Sequence, residues 1–84
     1  MTYSVHILRR AQKQLSKMDR QDQPRIISAI RSLADNPRPE GCRKFSGRPA
    51  WRIRIGSYRV IYEIDHDQIR VLVVAVGHRK DVYR

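Results

Sequence analysis

Acidic residues are scarce in this sequence: eight Asp and Glu stand against 18 Lys and Arg, leaving a formal net charge of +10 over 84 residues and a pI near 10.9. That imbalance implies a polyanionic partner. No apolar run is long enough to span a bilayer. No basic, apolar and small-residue order marks a signal peptide, and no basic helix carries bulky aromatics opposite, so nucleic acid is favoured over a membrane. The single cysteine, Cys42, excludes an internal disulfide and points to a cytoplasmic location. His6, His66 and His78 are scattered and no Cys/His or acidic cluster has ligand spacing, so neither a metal nor another cofactor is expected. Nothing repeats and no stretch is low in complexity, so residues 1–84 are expected to form one domain with room for one layer of sheet and one of helices.

What is present is organised around Trp51 to Ile64, WRIRIGSYRVIYEI. Apolar residues alternate through Trp51, Ile53 and Ile55, and again through Tyr58, Val60, Tyr62 and Ile64, the period of half-buried strands. Gly56-Ser57 between them suits a two-residue type II′ turn. Counting back from that turn pairs Ile55 with Tyr58, Arg54 with Arg59, Ile53 with Val60, Arg52 with Ile61 and Trp51 with Tyr62. One face of the hairpin is then apolar or aromatic, and the other carries Arg52, Arg54 and Arg59. Like charges directly opposite one another destabilise a sheet. An anion between Arg54 and Arg59 would relieve this, and guanidinium forks match phosphate oxygens bidentately. A solvated basic face is the bland alternative.

Around the hairpin, Tyr3, Val5 and Ile7 alternate as a short strand, with His6 on its polar side. Arg9 to Met18 has helical spacing: Ala11, Leu15 and Met18 form one side, and Arg9, Lys13, Lys17 and Arg20 form a basic ridge suited to an RNA backbone or to solvent. A second helix is expected from Asp22 to Asn36. Pro24 is tolerated in its first turn, Ile26, Ile27, Ile30, Leu33 and Ala34 form its apolar stripe, and Asn36-Pro37 is its stop. Arg38 to Ala50 holds two prolines and two glycines and reads as a loop with a short strand near Arg43 to Phe45. Phe45 is its expected anchor, and Arg43, Lys44 and Arg48 extend the basic surface or simply solubilise the loop. A turn at Asp65-His66-Asp67 leads to a strand from Gln68 to Val76, whose apolar run implies a central strand covered on both faces. A two-residue His66-Asp67 loop would place Glu63 opposite Arg70 and Arg59 opposite Val74. Gly77 then releases His78 to Arg84. The expected fold is α+β: a small, antiparallel-dominated sheet of four to five strands with two N-terminal helices packed on one face.

The element order, together with IGSYRVIYEI in the hairpin and VGHRKDVY at the end, resembles the RelE/ParE toxin superfamily and, within it, the RelE-type toxins of type II toxin-antitoxin systems. The resemblance covers essentially the whole chain. It implies a metal-independent endoribonuclease that cuts mRNA in the ribosomal A site by attack of the RNA's own 2′-hydroxyl. It also implies neutralisation by a cognate RelB-like antitoxin, in a complex that binds its own operator DNA through the antitoxin. Matched by motif, the family's functional positions fall on Arg59, Arg79 and Tyr83, with the basic pair of the preceding strand on Arg52 and Arg54. The best-known RelE toxins carry lysines at that pair. Arginine effectively cannot deprotonate, so Arg52, Arg54, Arg59 and Arg79 supply charge and position only. Proton transfer is therefore expected from His78 and Tyr83, with Arg43 and Lys44 adding phosphate contacts and Arg9, Lys13, Lys17 and Arg20 facing ribosomal RNA. Two alternatives share the fold: a ParE-like, non-catalytic inhibitor of DNA gyrase, and an RNA-binding module that cuts nothing.

Overall fold

The computed structural model describes residues 2–78. Strand β1 (Ser4–Ile7) is followed by helices α1 (Arg9–Ser16) and α2 (Gln23–Ser32), then by strands β2 (Arg43–Lys44), β3 (Ala50–Ile55), β4 (Tyr58–Asp65) and β5 (Arg70–His78). The five strands form one sheet in the order β1-β5-β4-β3-β2. Among the described residues the β1/β5 pair alone is parallel and the other three pairs are antiparallel. This is the α+β architecture expected from the sequence.

The hairpin register agrees pair for pair with the count from the turn: Ile55↔Tyr58, Arg54↔Arg59, Ile53↔Val60, Arg52↔Ile61, Trp51↔Tyr62. Gly56 has φ +59 and Ser57 is not among the positive-φ residues, which is the II′ rather than the I′ pattern. One face of the sheet meets the helices. Val60, Tyr62, Val71, Val73 and Val76 from that face are fully buried against Ala11 of α1, Ile26 and Ile30 of α2, and Leu33 just beyond it. The stripe on α2 is narrower than expected, because Ile27 points outward and is 36% exposed.

Both helices are shorter than their sequence patterns. After Ser32 the chain tightens into i→i−3 bonds from Leu33, Ala34 and Asp35, so α2 ends four residues before Asn36. The tightened turn has tertiary partners to meet: the Ala34 carbonyl accepts from Tyr3 N–H at 2.7 Å, and the Tyr62 hydroxyl donates to the Pro37 carbonyl at 2.7 Å. Burial, with Cys42 alongside, pushes the Tyr62 phenol well above its ordinary value of 10.0. A phenol held up in the folded state favours folding below the unfolded value and ceases to do so as pH rises past it. Urea midpoints are therefore expected to fall between pH 8 and pH 11. The drop should be shallower in Tyr62→Phe, and an equal drop in both proteins would exclude Tyr62 as its cause.

The β4/β5 register differs from the expectation. The turn is not two residues but His66 to Ile69, built on the Asp65 carboxylate, which accepts from Asp67 N–H and Gln68 N–H, both at 3.1 Å. Ile69 closes it at φ +51, a strained value for a β-branched residue. Asp65 therefore pairs with Arg70 and Glu63 with Leu72. Between Tyr62↔Val73 and Ile61↔Ala75 the register shifts by one, so Val74 is an extra residue on β5, a β-bulge. Beyond it Arg59 pairs with Gly77 and Tyr58 with His78. β5 is an interior strand, as expected, but it is covered on one face only: Leu72 and Val74 stay half-exposed. Its outer edge outruns β1, and α1 completes it. Val73 O accepts from Leu8 N–H at 3.0 Å, and Gln14 Oε1 accepts from Val76 N–H at 2.7 Å.

Candidate functional site

The face of the sheet away from the helices carries the arginines. Arg52 and Arg54 lie on it from β3, Arg59 from β4, and Arg43 from β2 directly opposite Arg52. Together with Gly41 and Ile53, these four arginines line one recess of about 240 Å³. Arg59 is the innermost, 8% exposed; Arg52 is half-buried, and Arg43 and Arg54 are exposed. Arg59 pairs with Gly77 of β5. The Arg52 guanidinium lies over the Phe45 ring, 5.5 Å from its centroid. Phe45 was foreseen only as a loop anchor. Its bond to Ala50, Phe45 N–H to carbonyl at 2.9 Å, extends the β2/β3 pairing and sets it on the face of Arg52. Counting on from the hairpin register would have found it, had the β2 pairing been known.

Two of the expected site residues lie elsewhere. Lys44 is opposite Trp51 and therefore on the helix side of the sheet, where its ammonium sits 6.0 Å from the Trp51 centroid and shares the ring with Arg38 at 5.9 Å. Alternation separates it from Arg43. His78 also lies on the helix side, edge-on to Tyr58 with ring centroids 5.9 Å apart. The Val74 bulge is the reason, since it reverses which residues of β5 face the helices. His78 and Arg59 are thus on opposite faces, and the structure does not bring them together. Arg79 and Tyr83 lie outside the described residues.

The helix-side neighbourhood of His78 serves the fold. The Tyr58 hydroxyl donates to Asp22 Oδ2 at 3.1 Å, joining the hairpin to the start of α2. That bond, then burial and the charges of Asp22 and Asp19, raises the Tyr58 phenol above its usual range. On α1, Arg9, Arg10, Lys13, Gln14 and Lys17 line a shallow surface depression. Arg9, Lys13 and Lys17 are exposed as expected, and Arg20 is exposed in the turn after the helix. This basic ridge belongs to the helix layer and the arginine recess to the opposite face of the sheet. No helix among the described residues is long and apolar enough to cross a membrane.

The five-stranded sheet with a helical pair on one face is the fold of solved RelE toxins, and here the opposite face carries the arginine recess. Residues 5–83 match the family described as the ParE toxin of the type II toxin-antitoxin system parDE. The chain belongs to that family and is a RelE-type toxin of a type II toxin-antitoxin system. Toxin RelG of Mycobacterium tuberculosis is 32% identical over all of this chain and 99% of its own length. A putative RelE-like toxin protein of Escherichia coli is 28% identical, covering 99% of this chain and 92% of its own. Among solved structures, the archaeal RelE-RelB complex from Pyrococcus horikoshii matches with a TM-score of 0.84 at 25% identity, over 98% of this chain and 100% of that one. The toxin-antitoxin complex RelBE2 from M. tuberculosis matches at 0.82 and 23% identity, over 94% and 100%.

Proposed function

We propose that this toxin inhibits translation by cutting mRNA in the ribosomal A site, through attack of the RNA's 2′-hydroxyl on the adjacent phosphate. The observation that carries the proposal is the buried Arg59 at the inner end of a recess shared with Arg43, Arg52 and Arg54. Desolvating a guanidinium costs free energy. That expense suits a site in which charge develops on a phosphorane, because a fixed cation screened from water stabilises such charge far more than one in solvent. The family's name alone does not choose the nuclease, since the matched family is called ParE and the relatives RelE-like. The paired arginines and the resemblance at Arg79 and Tyr83 favour RNA cleavage over gyrase inhibition.

Within this proposal Arg54 and Arg59 hold the scissile phosphate, with Arg79 joining them by resemblance. No arginine is a proton acceptor at neutral pH. Tyr83 is assigned the proton-transfer or base-stacking role, and the ribosome contributes by holding the mRNA near its attack geometry, an effect that can reach many orders of magnitude. The basic ridge Arg9, Lys13, Lys17 and Arg20 is assigned to ribosomal RNA. A RelB-like antitoxin that covers the arginine face and neutralises its charge is the proposed partner, in line with the RelB-bound relatives. The proposed location is the cytoplasm, where ribosomes are.

Primer extension on mRNA positioned on 70S ribosomes with an empty A site tests the proposal. Breaks in the A-site codon, absent on naked RNA, are expected; no breaks from folded protein would move the weight to gyrase inhibition or passive RNA binding. His78→Gln is expected to cut within about threefold of wild type, because its side chain faces Tyr58 and not the recess. A loss of a hundredfold or more in that variant would return His78 to the acid-base chemistry.

A further inference from the structure

The turn that pairs Asp65 with Arg70 leaves Glu63 opposite Leu72, without the cross-strand cation that a tighter loop would have given it. By alternation along β4 the Glu63 side chain lies on the face of Arg59, away from the helices. Its neighbours there are apolar: Leu72 across β5, Ala50 across β3 and Ile61 two residues along β4. Glu63 is half-buried and, among the described residues, makes no hydrogen bond or ion pair. Asp65, the next acid on this face, is committed to the turn. A carboxylate on the face that gathers the arginines of the recess is a misfit by charge, because it repels the anion they suit. A ligand that brings N–H donors as well as negative charge removes the misfit.

We infer that Glu63 selects the base beside the cut, accepting hydrogen bonds from the Watson–Crick edge of a guanine. This rests on the RNA-directed reading above and adds base selection to it. Arg59, placed by that reading at the scissile phosphate, lies four residues from Glu63 along β4, about 14 Å at backbone level. A single strand covers that span within one or two nucleotides. Ala50, opposite Glu63, puts nothing beyond its β-carbon in the way, and half-exposed Ile61 and Leu72 offer an apolar bed for the ring. On the Watson–Crick edge, guanine alone among the four bases presents two adjacent N–H donors, at N1 and N2, which match the two oxygens of a carboxylate. Adenine and cytosine offer one amino group there, and uracil one ring N–H. Unstacked bases of single-stranded RNA are commonly read on this edge.

The test uses short 2′-O-methyl RNA strands, which lack the attacking hydroxyl and are not cut by this chemistry. An all-adenine strand is compared with strands carrying one inner guanine or one inner hypoxanthine, which is guanine without its N2 amino group. Binding of the full chain is read by fluorescence anisotropy at low salt. Wild type is expected to prefer the guanine strand to the all-adenine strand about tenfold, the lower end of what one bidentate base contact discriminates, with hypoxanthine between them. Glu63→Gln keeps the size of the side chain and removes the paired acceptor, so the three strands should come within about twofold of one another. The same variant should bind the all-adenine strand no more weakly than wild type, since a negative charge has left the face. Asp67→Asn, which makes the same charge change in the β4/β5 turn, should keep the preference. Equal binding of the guanine and adenine strands by wild type would overturn the inference and hand Glu63 to a cation of the protein partner. A preference that survives in Glu63→Gln, or no binding of any strand, would overturn it as well. A-site cleavage by a protein with no guanine preference would sink the base selection and leave the nuclease; the preference without cleavage would do the reverse.

Discussion

Arg59→Ala is expected to lower A-site cleavage about 100- to 1,000-fold, the range seen when one fixed donor to a developing oxyanion is removed. The reason for singling out this arginine is its 8% exposure, against exposed positions for Arg43 and Arg54. Water and counter-ions screen an exposed guanidinium and weaken its hold on the phosphate. Arg54→Ala should therefore cost less, about tenfold. Arg59→Lys separates charge from geometry: it keeps the cation but loses the planar fork, so partial recovery would assign Arg59 to charge and none would assign it to bidentate positioning. Single-turnover cleavage on programmed ribosomes reads the effect, and urea denaturation checks that the variant stays folded. Unchanged cleavage by a folded Arg59→Ala protein would remove the recess from the chemistry.

The second large effect concerns stability. Tyr62→Ala is expected to cost about 3–5 kcal/mol, as for other large buried aromatics. Tyr62 is fully buried on the helix-facing side of the sheet, flanks the bulge on β5, and bonds the Pro37 carbonyl at 2.7 Å. For a domain of this size the loss is a large part of the total stability of about 5–15 kcal/mol. It should lower Tm by at least about 12 °C in a thermal scan. Tyr62→Phe keeps the ring and loses the hydroxyl, and should cost only about 1–2 kcal/mol for the deprived carbonyl. Equal losses in the two variants would mean that the hydrogen bond, and not the packing, matters.

The parts legible in the sequence were those governed by neighbours in the chain. The β3/β4 hairpin was readable residue by residue, because a two-residue turn with Gly56 at positive φ ties each side chain to a face by simple alternation. The cluster of Arg52, Arg54 and Arg59 follows from the same count. Helix positions were readable as well, and their ends less so, since the segment from Ser32 to Pro37 bends to place the Ala34 carbonyl on Tyr3 and the Pro37 carbonyl on Tyr62, partners distant in sequence.

β5 shows where that legibility stops. Its run from Val71 to Val76 is apolar at every position, so no alternation marks which residues face the helices, and the turn before it is held by an Asp65 side chain that a tighter loop would also accommodate. A bulge changes the packing without changing the composition of such a run. Charge, fold class and the arginine hairpin were thus determined by the sequence, through local alternation and turn chemistry. The tertiary structure alone decided that Val74 is the extra residue, that His78 turns toward Tyr58 and away from Arg59, that Lys44 leaves the recess, and that Phe45 supports Arg52. Each of these depends on pairing between segments whose register is set by burial against the helices and by partners far along the chain.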